Sequence, residues 1–173
     1  MNELNKKKEK SKFKESNRQF GILLKISLII GIIVVSGFII YYLLKPEPGY
    51  VTLGILNEDE KAENYPTEGT VNETISFYVT VGNYMNKDFS FQVMIKKGNN
   101  QTSMYPDIPS NGLIDSTIGD FTLNHNENWA SEQISISFPQ LGENQIIIVE
   151  LWQIKSETEE FYSNAWMRLN ITN

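Results

Sequence analysis

"NQIIIVELWQI", residues 144–154, carries four consecutive apolar residues, Ile146 to Val149, before alternation returns. A strand with apolar side chains on both faces needs cover on both, so it belongs in the middle of a sheet. The next run, "EFYSNAWMRLNIT" (160–172), closes the chain as a second strand. If the two pair through a turn near Glu157–Glu159, Trp152 faces Asn164 and Glu150 faces Trp166. Ile147, Val149 and Leu151 then join Ala165, Met167 and Leu169 on a core face, and Glu150, Trp152, Trp166 and Arg168 share the other. Indoles beside charged groups suit a contact patch for a sugar or a protein, or they pack beneath covering loops. A slip of one residue would exchange the two faces.

Upstream the same alternation repeats. "YVTLGIL" (50–56) reads as a first strand. "TISFYVTV" (74–81) puts Ile75, Phe77, Val79 and Val81 on one face, and "FSFQVMIK" (89–96) does so with Phe89, Phe91, Val93 and Ile95. With "GNYMNKD" between them, these two runs read as a hairpin. "STIGDFTL" and "EQISISF" add strands around a polar turn, "NHNENWA" (124–130). Residues 97–116 are rich in Gly, Pro, Asn and Ser and read as a loop with room for a short edge strand; "NEDEKAENYPTEGTVNE" (57–73) reads as an acidic loop. About seven short strands separated by turns predict an all-β, immunoglobulin-like antiparallel β-sandwich over residues 50–173.

Ahead of it, residues 26–44 ("ISLIIGIIVVSGFIIYYLL") contain no charge. As a helix they cover roughly 28 Å, close to the ~30 Å hydrocarbon core of a bilayer. Tyr41 and Tyr42 fall at the end, where amphipathic rings favour the interface. Pro46 and Pro48 stop the helix and make residues 45–49 a stiff spacer. A cleaved export signal is the rival reading, but its apolar region is shorter and ends in small residues, where this chain has "YYLLK". The run is therefore expected to be one transmembrane α-helix, a retained signal-anchor.

Charge sets its orientation. Residues 1–25 hold eight Lys/Arg against three Glu, a net +5, whereas residues 45–173 carry a net −11. Basic flanks stay cytoplasmic, so the tail 1–25 is expected inside and the acidic remainder outside, at the cell membrane. "KKKEKSKFK" (6–14) resembles a nucleic-acid patch, but beside a span it reads as a topology determinant meeting anionic lipid. The lipid bilayer is an expected partner and nucleic acid is not.

The chain has no cysteine, which excludes thiol catalysis, thiolate zinc sites and iron–sulfur clusters. Its one histidine, His125, lies in the polar "LNHNENW" with no nucleophile motif in view, so it reads as a solvated turn residue. Glu58, Asp59 and Glu60 could offer oxygen ligands to a hard cation, but they lack the spacing of a calcium loop and read as a solvated acidic loop. Asn72, Asn100 and Asn170 stand in N-x-S/T triplets and are glycosylation candidates if they lie outside. Ser27 and Gly31 form a small-xxx-small pair that could seat a second helix. No cofactor is expected.

Several pieces fall in a familiar order: "AENYP" before the strand entry "GTV", the turn "VGN", "FTLNHNENW", "ISFPQLGENQIIIVELW" and the closing "EFYSNAWMRLNI". Over residues 50–172 the chain resembles the outside domain of archaeal membrane proteins grouped as domain-of-unknown-function family 1616. The resemblance implies an extracytoplasmic β-sandwich on an archaeal cell surface and implies no activity. Many members carry a multi-helix membrane region, and nothing that depends on it carries over to a chain with one span. The expectation is a non-enzymatic surface module binding an envelope protein or a glycan. The alternatives are an accessory subunit of a membrane complex and, third, an ion-dependent or hydrolytic surface enzyme.

Overall fold

The computed structural model describes residues 3–45, 48–156 and 158–173. It divides into two units, residues 1–47 and 48–173. The first is a single helix, α1 (Glu3–Leu44). Within it, Lys14–Leu44 is long and apolar enough to cross a membrane: its most apolar 18 residues have a mean hydropathy of 2.7, and none of these is buried against protein. The helix also runs back through most of the segment expected to be a tail. Pro46 and Glu47 of the expected spacer lie outside the described residues, as do Met1 and Asn2.

The second unit is a β-sandwich of nine strands: β1 (Val51–Leu56), β2 (Glu68–Thr70), β3 (Ile75–Asn83), β4 (Phe89–Gly98), β5 (Leu113–Leu123), β6 (Glu127–Ala130), β7 (Ile134–Ile136), β8 (Gly142–Lys155) and β9 (Thr158–Thr172). One sheet has β3 at its centre, with β1 on one side and β6 and β7 on the other; the second runs β2-β9-β8-β4-β5. The apolar run at 146–149 accordingly lies in the middle strand of the larger sheet. The described residues form nine strands where about seven were expected, because two short ones lie inside segments read as loops. β2 emerges from the acidic loop to pair in parallel with the end of β9, and β6 occupies the second half of the polar turn.

The expected hairpin between residues 74–81 and 89–96 does not form. β3 pairs with β1, β6 and β7, while β4 pairs with β5 and β8 in the opposite sheet. Alternation fixes which face of a strand is buried but not which strand it pairs with, and both runs bury their apolar faces in the same core. Asn83 holds the crossing: its Nδ2 donates to the carbonyls of Lys87 and Leu123, both at 2.9 Å, and its Oδ1 accepts from Met85 N.

β6 and β7 are one strand interrupted at Ser131. There the Ser131 N–H donates to Val79 O, and the Ser131 hydroxyl accepts from Val79 N at 2.9 Å, so the side chain replaces a missing rung of the ladder. Ile75, Phe77, Val79 and Val81 meet Phe89, Phe91, Val93, Ile95, Ile147, Val149 and Leu151 across the interior. Each such side chain contributes about 1.5–3 kcal/mol on full burial.

The registers also give the sandwich a polarity. Val51 pairs with Asn83, so the chain enters beside the end of β3. At the opposite end lie the start of β3, the end of β4, the start of β8 and the end of β9.

Candidate functional site

The outward face of the larger sheet carries the residues singled out by the sequence. β8 and β9 pair two residues away from the expected register: Glu150 faces Asn164, Ile148 faces Trp166, and Trp152 faces Phe161 across a bulge. A shift of two preserves the faces. Ile147, Val149, Leu151, Met167 and Leu169 are in the core, and Glu150, Trp152, Trp166 and Arg168 belong to the other side. The turn expected at Glu157–Glu159 is tighter, since Lys155 already pairs with Thr158, and Glu157 itself lies outside the described residues.

Glu150 is nevertheless fully buried. Its Oε2 lies 2.8 Å from Lys96 Nζ on β4 and accepts from Trp152 Nε1 at 3.1 Å. Its Oε1 accepts from both the backbone N–H and the hydroxyl of Ser110 at 2.7 Å, and Lys96 Nζ donates to Ser110 O at 3.1 Å. Lys96 and Ser110 are buried too. A buried charge costs several kcal/mol unless it is paired and hydrogen-bonded, and here both conditions are met.

The cover is the β4–β5 connection, residues 99–112, which lies as a strap across the outward face. Asn164 Nδ2 on β9 donates to Tyr105 O at 2.9 Å, and Asn111 Oδ1 accepts from Ser103 N at 2.8 Å inside the strap. Gly112 passes so close that a Cβ there would lie 2.9 Å from Lys97 O and 3.0 Å from Ile148 Cδ1. Ile146 and Ile148, which point away from the core, are thereby fully buried. Of the four patch residues, Glu150 is removed from the surface, Trp152 is half-buried with its ring edge-on to Phe161, and Trp166 and Arg168 are exposed.

The other candidates fall elsewhere. Glu58, Asp59 and Glu60 are exposed on a turn organised by Asn57, whose Oδ1 accepts from Asp59 N and Lys61 N. Among the described residues, no group of three or more His, Asp or Glu could hold a metal ion. His125 is exposed in the turn between β5 and β6. Asn72, Asn100 and Asn170 are exposed and gather at the sandwich end opposite Val51. There Asn72 N donates to Phe138 O and Asn170 Oδ1 accepts from Asn144 N at 2.9 Å.

Two carboxyls are held below their ordinary range. Glu73 accepts from the Thr70 backbone N–H and then the Thr70 hydroxyl; Glu127 is lowered first by the Asn124 side chain and then by the Asn124 N–H.

Lys96 and Ser110, both buried and both bonded to Glu150, were not anticipated. Lys96 stands in the alternating run at an outward position, and the signal was the opposite charge at another outward position, Glu150. Joining them requires the pairing of β4 with β8, strands about fifty residues apart in the sequence.

The chain is thus an all-β, immunoglobulin-like sandwich preceded by one apolar helix. It is similar to the CARDB domain of a Pyrococcus furiosus protein in complex with di-metal ions, at 15% identity over 75% of this chain and 93% of that one, with a TM-score of 0.46. It is also similar to the C-terminal domain of wzt, at 10% identity over 75% and 80%, TM-score 0.44. A third is a β-glucosidase from Listeria innocua, at 10% identity over 72% of this chain but 16% of the enzyme, TM-score 0.45. No protein-family model and no curated protein matches the chain.

Proposed function

We propose that the chain is a single-pass protein of an archaeal cell surface, with its sandwich outside the membrane as a non-enzymatic module that binds another envelope component. The observation that carries this reading is a bare apolar helix, Lys14–Leu44, joined to a unit with its own complete core. A helix with no protein packed around its apolar surface needs lipid to cover it. The net +5 of residues 1–25 favours a cytoplasmic N-terminus, and the family resemblance favours an extracytoplasmic sandwich. Trp166 and Arg168, exposed side by side on the outward face, offer an aromatic ring and a cation, a pairing favoured at interfaces.

Protease added to intact cells tests the topology. Digestion of the sandwich with a protected N-terminal segment supports the reading, and the reverse pattern overturns it. Retention of an envelope glycan or protein by the detergent-solubilised chain, lost in Trp166→Ala, supports the binding role.

A second reading, as an accessory subunit of a membrane complex, is favoured by a shallow groove along α1 at Ser27, Gly31 and Ser36, where small side chains admit another helix. Recovery of one partner at fixed stoichiometry in mild detergent would favour it.

A further inference from the structure

At the sandwich end opposite Val51, the end of β4, the two ends of the strap and the β7–β8 connection enclose an open cleft of about 700 Å³. That volume lies in the range of small-ligand sites, roughly 300–1,000 Å³. Five carboxamides line it: Asn99, Gln101, Asn111, Gln140 and Gln145. Two are oriented by the backbone, since Asn99 Oδ1 accepts from Gln101 N and Asn111 Oδ1 accepts from Ser103 N. Their amide N–H groups, and the whole carboxamides of the three glutamines, make no hydrogen bond to protein among the described residues.

The one charge on the cleft's walls is already paired. This cation, Lys97, lies 2.6 Å from Asp115 and 5.8 Å from the ring centre of Phe138, and no carboxylate lines the walls. Leu113 and Leu141, 78% and 54% exposed, form an apolar rim.

We propose that this cleft binds a neutral oligosaccharide. The inference rests on reading the sandwich as a binding module and names the ligand class and the place. A carboxamide presents a donor and an acceptor side by side, which matches a sugar hydroxyl that donates and accepts at once. The pairing of Lys97 with Asp115 disfavours phosphorylated or acidic chains, and the leucines meet the C–H face of a pyranose. An extended peptide would instead use a strand edge and alternate apolar pockets, and four of this cleft's five carboxamides stand on loops. The sugar has two possible sources, a separate envelope glycan or one attached to Asn100, which stands between two lining residues.

The test uses the full chain, purified from a host without N-glycosylation and held in a detergent that contains no sugar. It is titrated with neutral tetrasaccharides of β-1,4-linked N-acetylglucosamine and of β-1,3-linked glucose. At least one is expected to bind, and Gln101→Ala/Gln140→Ala is expected to weaken it about tenfold, as when two hydrogen bonds are lost, with an unchanged unfolding midpoint. If the source is Asn100, chain from the native host binds added saccharide only as Asn100→Gln; if the source is separate, both forms bind.

Saccharide binding that survives the double substitution but disappears in Trp166→Ala overturns the cleft and keeps the binding-module reading. No saccharide binding, with a neutral decapeptide of Ser, Asn and Leu bound instead, also overturns the ligand class alone. No binding of either probe, with one protein recovered at fixed stoichiometry, overturns both.

Discussion

Lys96 and Glu150 meet at 2.8 Å on adjacent strands, beneath a strap whose Ser110 bonds to both. The pair therefore fixes where residues 99–112 lie. Glu150→Ala leaves the buried Lys96 ammonium without its counter-charge and the Ser110 and Trp152 N–H groups without their acceptor. A loss of about 3–5 kcal/mol is expected, the usual cost of breaking one half of a buried pair. Lys96→Met/Glu150→Leu, which removes both charges, is expected to cost less than the sum of its singles. Chemical unfolding of the full chain, read by tryptophan fluorescence, measures both.

The interrupted strand gives a second expectation. Ser131→Ala removes the hydroxyl that accepts from Val79 N, at a buried point of the ladder. An orphaned buried N–H costs about 1–3 kcal/mol. Thr in place of Ala is expected to recover part of the loss, because it restores the acceptor.

Where the strap crosses the sheet, a methyl group has no room. Gly112→Ala would set its Cβ 2.9 Å from Lys97 O and 3.0 Å from Ile148 Cδ1. Overpacking of this kind typically costs about 1–3 kcal/mol. Faster hydrogen exchange is expected at Ser110, with β1 and β3 unchanged.

The two indoles should behave differently. Trp152→Ala removes a donor to Glu150 and the edge contact with Phe161, so the unfolding midpoint is expected to fall. Trp166 is 49% exposed, and Trp166→Ala is expected to stay within about 0.5 kcal/mol of the parent, as surface changes usually do. Loss of partner retention without loss of stability would mark Trp166 as a contact residue.

Acid should weaken the sandwich. The Glu73 and Glu127 carboxyls are lowered in the folded state by hydrogen bonds to their ionised forms. Their contribution is complete above the ordinary glutamate value of about 4.3 and disappears as pH falls through the lowered folded values. Thermal unfolding from pH 6 to pH 3 is expected to show a falling midpoint, with a smaller fall in Glu73→Gln.

Period-two alternation made the strands at 51–56, 75–83 and 89–98 legible, because burial on one face leaves its mark locally, and the continuous apolar run 146–149 did the same for 142–155. The core face of β8 and β9 was legible even with the register misread, since a shift of two residues returns each side chain to the same side. Partnership was not. The run 75–83 pairs within one sheet and 89–98 within the other, and five loop residues between them suffice to cross the core. β2 and β6 were hidden because three or four residues on a sheet edge are too few to carry a periodic signal. Covering loops on the outward face were one of the sequence's readings, but that residues 99–112 supply the cover and bury Glu150 was not legible, because a Gly/Pro/Asn-rich stretch carries no sign of the face over which it folds back.

The opposed positions of Val51 and Asn173 have a mechanical consequence. Pull the sandwich between Val51 and Thr172, and β1 slides lengthwise against β3 while β9 slides against β8. Every rung of each ladder then resists together, where a hairpin peeled from one corner would yield rung by rung. A domain strung this way yields least readily when it is pulled along its strands.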